Sequence, residues 1–167
     1  MPVRPEQLQS SLDQGLAPVY LIAGAEPLLV QECRDRVIKA AQARGFSERS
    51  VHEASAKFDW KLLGEDSAMP SLFSSRKILD VRLPTGKPGQ DGAKVLAEMA
   101  QSPDPDVLLL VSSGEWSVAM RKLKWTSSLA RAGVLVEIWP VRPNELPGWI
   151  SNRMRAAGLQ PEPAAVS

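Results

Sequence analysis

Short, continuously apolar runs alternate with longer segments of helical periodicity, and this alternation constrains the fold more than any other feature. Residues 18–23 and 106–112 are apolar at almost every position, with no polar alternation. Such runs are typical of strands that are buried on both faces of a parallel sheet. Residues 77–83 and 134–139 predict two further strands, and residues 50–55 predict a weaker one. Five strands with interleaved helices predict a doubly wound, mostly parallel α/β domain with right-handed crossovers.

The helical segments divide the chain into two parts. A long amphipathic helix is predicted over residues 28–44, with Gly45 after its end, and a shorter one after the candidate cap Asp59. Residues 117–131 predict a single helix that ends before Gly133. A proline-flanked link at 140–143 then leads into a helix over residues 145–157. We therefore expect an α/β domain over residues 1–140 and the beginning of a helical domain over residues 141–167.

Charge and cysteine content exclude several classes of protein. The net charge of +1 gives the whole chain no field that would draw it to nucleic acid or an anionic membrane. No apolar run reaches the roughly 20 residues that span a bilayer, and the N-terminus shows no secretory signal. Cys33 is the single cysteine, so an internal disulfide is impossible. These features predict a cytoplasmic protein.

The loop after the first strand is where a phosphate-binding P-loop would lie. A working P-loop needs several glycines, a lysine and a Ser/Thr for magnesium. This loop offers Gly24 followed by Glu26, which would repel phosphate, and Pro27, which lacks an N–H. The pattern indicates a tight strand-to-helix turn, with a degenerate nucleotide site as the alternative. We predict no cofactor.

Other candidates for catalysis are weak. His52 is the only histidine, and strand alternation predicts that it faces solvent. Cys33 falls on the apolar face of its helix, which indicates an inert thiol. Asp80 occupies a strand position where an ATPase would hold magnesium, but Arg82 lies two residues on and indicates an ion-paired, structural role. One cysteine and one histidine also leave little for a zinc site, so we predict no metal and no catalytic residue.

An apolar cluster surrounds a helix-breaking proline. Met69 precedes Pro70, and Ser71, Leu72 and Phe73 follow it. Periodicity does not explain the cluster, which leaves two interpretations: a loop anchor that folds back onto the domain, or an exposed plug that enters a pocket of a partner. Burial of the Leu and Phe side chains would contribute roughly 3–6 kcal/mol. Nanomolar binding requires about 12 kcal/mol, so a plug of this kind would be a hot spot within a larger interface.

Three motifs resemble the delta subunit of bacterial DNA polymerase III. The run GLAPVYLIAGAEPLLVQE, residues 15–32, resembles the first strand and helix of that family, in which it replaces the P-loop. The run MPSLFSSRK, residues 69–77, resembles the clamp-binding element of the family, with Pro70 as an extra residue in the pattern. LPGWI, residues 146–150, resembles the start of its helical lid. Together the motifs extend across nearly the whole chain in the family's order.

The resemblance implies an AAA+-like fold of P-loop NTPase type that does not bind ATP. It implies a clamp-loader subunit that opens the ring-shaped sliding clamp (the beta subunit) for loading on primed DNA. Leu72 and Phe73 match the hydrophobic pair that enters the pocket of the clamp, with Met69, Pro70 and Ser71 beside them. The chain itself would not be an enzyme, although the whole complex is a DNA-directed DNA polymerase. The alternatives are a degenerate nucleotide-binding AAA+ module and a DNA-contacting domain.

The resemblance also implies partners and missing parts. The delta-prime and gamma/tau subunits would bind the full-length protein, and primer-template DNA would be contacted only within the assembled loader. We expect the chain to be a piece of a longer protein, with a truncated lid and no collar domain. On the wheel of the predicted helix 117–131, Arg121, Lys124 and Arg131 share one arc. This arc is either a solvated helix face or a basic patch that faces DNA.

Overall fold

The computed structural model describes residues 2–69, 76–140 and 143–159. The strands are β1 (Val19–Gly24), β2 (Glu48–Glu53), β3 (Lys77–Leu83), β4 (Val107–Ser113) and β5 (Val134–Ile138). The helices are α1 (Pro5–Gln14), α2 (Pro27–Gln42), α3 (Trp60–Ala68), α4 (Gly89–Gln101), α5 (Val118–Arg121), α6 (Lys124–Ala132) and α7 (Leu146–Ala156).

The five strands form one parallel sheet in the order β2-β3-β4-β1-β5. Strand β1 lies between β4 and β5, and all six of its residues are buried. This burial explains its continuously apolar sequence, because helices cover both of its faces. The edge strand β2 alternates between exposed and half-buried residues, which is why its sequence signal is weak. The prediction of a doubly wound α/β domain is confirmed.

Two apolar layers enclose the sheet. Side chains of α1 and α2 pack with Tyr20 and Ile22 of β1 on one face. Side chains of α3, α4 and α6 pack with Val19 and Leu21 of the same strand on the opposite face. Successive residues of a strand point to opposite faces, so one apolar run contributes to both layers. The core is therefore centred on β1 and β4.

Residues 117–131 do not form the single predicted helix. Helix α5 ends at Arg121, and α6 begins at Lys124. Between them Leu123 is extended, with φ −65° and ψ 147°, and is the N-cap of α6. The Thr126 hydroxyl donates a hydrogen bond to the Leu123 carbonyl at 2.8 Å. The same hydroxyl oxygen lies 2.5 Å from the Met120 carbonyl oxygen of α5, so this side chain links the two helices across the break, and the start of α6 has no side-chain cap.

Helix α7 follows the sheet domain and contacts it through charged groups. The Arg153 guanidinium donates two hydrogen bonds to the Glu32 carboxylate of α2, at 2.6 and 3.1 Å. None of the residues of α7 is fully buried. The helix starts close to the predicted position, and the domain boundary at 140/141 stays a prediction. Within the described ranges, no helix combines the length and apolarity needed to cross a bilayer.

Candidate functional site

The β1–α2 loop, where a phosphate cradle would lie, is shaped by packing. A Cβ atom at Gly24 would lie 2.5 Å from the Ile138 Cβ and 2.6 Å from the Ile138 carbonyl oxygen. The glycine is therefore required by the close approach of β5. Glu26 is the N-cap of α2, and Pro27 occupies the first turn, where its missing N–H removes one possible anion donor. The geometry is that of a tight strand-to-helix turn.

Asp80 of β3 is held by arginines. Its side chain is inaccessible to solvent, and its Oδ2 atom lies 3.2 Å from an Arg82 nitrogen and 3.9 Å from Arg49 Nε. A buried carboxylate needs such partners, since desolvation of an unpaired charge is costly. In the part of the chain that the structure describes, no three His, Cys, Asp or Glu side chains come together as metal ligands would. The arrangement agrees with the predicted ion-paired role of Asp80.

The Cys33 thiol is free and buried in α2. Burial raises its pKa to about 11, which outweighs the opposing effect of the nearby Arg36 charge. A thiol in this state stays protonated near neutral pH and is a poor nucleophile. The prediction of an inert core thiol is consistent with this environment.

His52 does not face solvent as predicted. Its side chain is 17% exposed, and its Nε2 atom lies 2.7 Å from Asp66 Oδ2. The His52 ring also meets the Phe58 ring edge-on, at 6.0 Å between centroids. The neighbouring Val51 is 46% exposed instead. Sequence alternation alone could not show which side of this edge strand is covered, because α3 covers the side that carries His52.

The candidate clamp-binding element lies in the connection between α3 and β3. Its residues Pro70, Ser71, Leu72 and Phe73 lie outside the described residues, so their predicted role stays a prediction. Met69 is the C-cap of α3, where its N–H donates to the carbonyls of Glu65 and Asp66. The Met69 side chain is 65% exposed. Met69, the first residue of the element, is therefore an apolar residue at the surface.

A partly buried ion pair joins residues on the two sides of positions 70–75. Lys77 Nζ donates to Asp66 Oδ1 and to the Asp66 carbonyl oxygen, both at 2.8 Å. Burial acts to raise the pKa of Asp66, but hydrogen bonds from Lys77, His52 and Ser50 and the Lys77 charge outweigh it, and the pKa is lowered. Sequence reasoning missed this pair, because eleven positions separate its members and no local periodicity relates them.

The three candidate basic residues occupy different environments. Arg121 of α5 forms an ion pair with Glu137, a buried residue of β5 that also accepts a hydrogen bond from the Trp139 indole. Lys124 and Arg131 are exposed on α6. They are seven positions apart, so they lie on the same side of that helix. The structure thus gives Arg121 a structural partner and leaves the other two at the surface.

Comparison with known proteins places the chain in a family. The family described as "DNA polymerase III, delta subunit" matches residues 20–138. The chain is 32% identical over 161 residues to DNA polymerase III subunit delta of Escherichia coli, covering 96% of the chain and 47% of that protein. The chain belongs to the DNA polymerase III delta-subunit family.

The Haemophilus influenzae member of the delta-subunit family is also 32% identical, over 165 residues that cover 97% of the chain and 48% of that protein. The chain thus spans about half the length of the curated delta subunits that it matches. The family assignment confirms the resemblance found in the sequence motifs.

Solved structures agree with a delta-type, AAA+-like fold. The clamp loader delta protein of Bacillus subtilis superposes with a TM-score of 0.73 and 18% identity, over 97% of the chain and 50% of that protein. A RuvB variant of Thermotoga maritima superposes with a TM-score of 0.60 and 14% identity, over 96% of the chain and 52% of that protein. At these identities the likeness concerns the fold alone.

Proposed function

We propose that this delta-family chain binds the sliding clamp through Leu72 and Phe73 and helps to open the ring for loading on primed DNA. It acts by protein–protein contact and carries no catalytic centre of its own. Met69, Pro70 and Ser71 flank the apolar pair and complete the contact. The Bacillus subtilis protein of similar fold is a DNA clamp loader delta protein, which supports this assignment.

The observation that carries the proposal is the exposed end of α3. Met69 presents most of its apolar side chain to solvent directly before the Leu72–Phe73 pair in the sequence. In the sequence, this pair also matches the hydrophobic pair of the family's clamp-binding element. Burial of Leu and Phe in a pocket would supply roughly 3–6 kcal/mol, enough for a hot spot. The remaining affinity would come from the surrounding surface.

The β1–α2 loop supports a role without nucleotide chemistry. Gly24 is needed for contact with Ile138, and Glu26 and Pro27 stand where phosphate-binding groups would be. The chain would therefore use the AAA+-like fold as a scaffold for binding. In the full-length protein, delta-prime and gamma/tau would be further partners in the cytoplasm. Lys124 and Arg131 would contact primer-template DNA only within the assembled loader, whereas Arg121 is paired with Glu137.

The decisive test is binding to the DNA polymerase III beta sliding clamp, measured by titration of the purified proteins. We expect Leu72→Ala/Phe73→Ala to weaken binding by about a hundredfold or more, because roughly 3 kcal/mol or more of apolar burial is lost. The control variant Leu28→Ala/Leu159→Ala removes exposed apolar side chains elsewhere and should bind as the native chain does. Native affinity in the Leu72/Phe73 variant would refute the proposal.

A further inference from the structure

The chain on both sides of residues 70–75 is anchored at one point. Asp66 lies in the last turn of α3, and Lys77 is the first residue of β3. The Lys77 ammonium contacts both the carboxylate and the carbonyl oxygen of Asp66 at 2.8 Å. The second contact satisfies a carbonyl in the last turn of α3, where a positive charge also complements the helix dipole. One side chain therefore ties the last turn of α3 to the start of β3.

The Asp66–Lys77 contact is mostly shielded from solvent and has a third partner. The Lys77 side chain is 9% exposed, and that of Asp66 is 20% exposed. His52 Nε2 lies 2.7 Å from the other carboxylate oxygen of Asp66, so both oxygens have a partner. A buried ammonium without its carboxylate would be strongly unfavourable. The charge of Lys77 and both carboxylate oxygens of Asp66 are thus compensated within this cluster.

The residue after the segment is held as well. The Arg76 N–H donates to the Gly45 carbonyl at 3.3 Å, and the Arg76 carbonyl accepts from the Glu48 N–H at 3.3 Å. These backbone contacts continue the register of β3 beside β2. The ion pair thus lies where a regular sheet edge and a helix end meet, directly next to the candidate clamp-binding element.

We propose that the Asp66–Lys77 pair, supported by His52, positions the clamp-contacting segment by holding its two flanks together. This inference rests on the proposed function, since it assigns a role to residues that touch no partner themselves. With the flanks held, the segment between them has lost part of its conformational freedom before binding. Because this loss of conformational entropy occurs before binding, it does not oppose formation of the complex, and the affinity for the clamp rises. Asp66 and Lys77 are positioning residues, and Leu72 and Phe73 make the contact.

The variants Asp66→Asn, Lys77→Met and Asp66→Asn/Lys77→Met test the proposal by titration with the beta sliding clamp. Each single variant should bind about tenfold more weakly, because a charged hydrogen bond is lost. The double variant should lose about the same factor, since the two residues act as one unit. Glu32 lies on α2, which packs on the opposite face of the sheet from α3, so Glu32→Gln, which weakens the 2.6 Å ion pair to Arg153, should bind as the native chain does. Native affinity in all three variants, or losses that multiply in the double variant, would overturn the proposal.

Tryptic cleavage after Arg76 gives a readout that does not need the clamp. In Asp66→Asn the sequence around the cleavage site is unchanged, and cleavage should be about fivefold faster or more, because it follows the population of the locally opened state. Glu32→Gln should be cleaved at the native rate. An unchanged cleavage rate in Asp66→Asn, with the chain folded by circular dichroism, would show that the pair does not hold the segment.

The two readouts separate this inference from the proposed function. If the native chain binds the clamp, Leu72→Ala/Phe73→Ala does not, and Asp66→Asn binds normally, then the positioning role fails and the clamp-binding function stands. If the native chain does not bind the clamp, the proposed function fails, and cleavage after Arg76 still decides whether the pair orders the segment. Weak clamp binding together with fast cleavage in Asp66→Asn supports both.

Discussion

The β1–α2 loop and the α3–β3 connection differ in what surrounds them. In the first, Gly24 closes onto Ile138 of β5, so the loop is shaped by the interior of the domain. In the second, α3 ends with an exposed Met69, and the ion pair between Asp66 and Lys77 lies at its base. The β1–α2 loop is therefore filled by the domain's own packing. The binding function that we propose is assigned to the other connection.

The largest expected effect concerns the packing role of Gly24. We expect Gly24→Ala to destabilise the fold by about 1–3 kcal/mol, because the new Cβ would overlap the backbone and side chain of Ile138. The change should leave clamp affinity unaltered at temperatures where the variant is folded. Denaturant unfolding measures the first quantity and titration with the clamp the second.

The matched control is a glycine in the other region. Gly64 lies inside α3, and a Cβ there would meet no atom within 4 Å. Gly64→Ala should therefore stabilise the domain by about 0.5–1 kcal/mol, since alanine is the better helix former. Equal effects of the two substitutions would break the contrast between a glycine required by packing and one that is not.

A smaller effect is expected from the acid dependence of the Asp66 contact. The pKa of Asp66 is lowered from its ordinary value of 3.8, so at acid pH the unfolded chain takes up a proton more readily than the folded one. The stabilisation is therefore present above pH 3.8 and is lost as the pH falls through the folded-state pKa. Unfolding free energies of the native chain and Asp66→Asn, measured from neutral to acid pH, should converge at the acid end. A constant difference at all pH values would contradict this.

The exposed pair on α6 offers a test in the assembled loader. Lys124→Gln/Arg131→Gln should weaken binding of the full-length loader to primed DNA and reduce the slope of log K against log salt by about 2, one for each lost phosphate contact. The isolated chain should show no matching salt-dependent affinity, given its net charge of +1. An unchanged slope in the loader would indicate that these residues form only a solvated helix face.

For nucleotide binding we expect no measurable effect. Addition of ATP and magnesium should not shift the melting temperature of the chain, because Glu26 and Pro27 occupy the start of α2 in place of a phosphate cradle. A concentration-dependent rise in melting temperature would show a nucleotide site in the β1–α2 region and remove the contrast between the two regions.

Much of this protein could be predicted because its signals are local. The apolar runs predicted the parallel strands, and Asp59 marked the start of α3, where its side chain accepts a hydrogen bond from the Lys61 N–H at 3.0 Å. The three family motifs led to the delta-subunit family that the comparisons confirm. The prediction of one helix over residues 117–131 was wrong, because the backbone is extended at Leu123, between α5 and α6.

The sequence by itself determined the strand content, the absence of P-loop residues after β1 and the family. Each of these signals depends on residues that are close together in the sequence. Only the tertiary structure decided that Gly24 packs on Ile138, that His52 and Lys77 meet at Asp66, and that Arg121 pairs with Glu137. Periodicity reports which face of an element is apolar. It does not report which distant element covers that face, because this depends on the order of strands in the sheet and on their register.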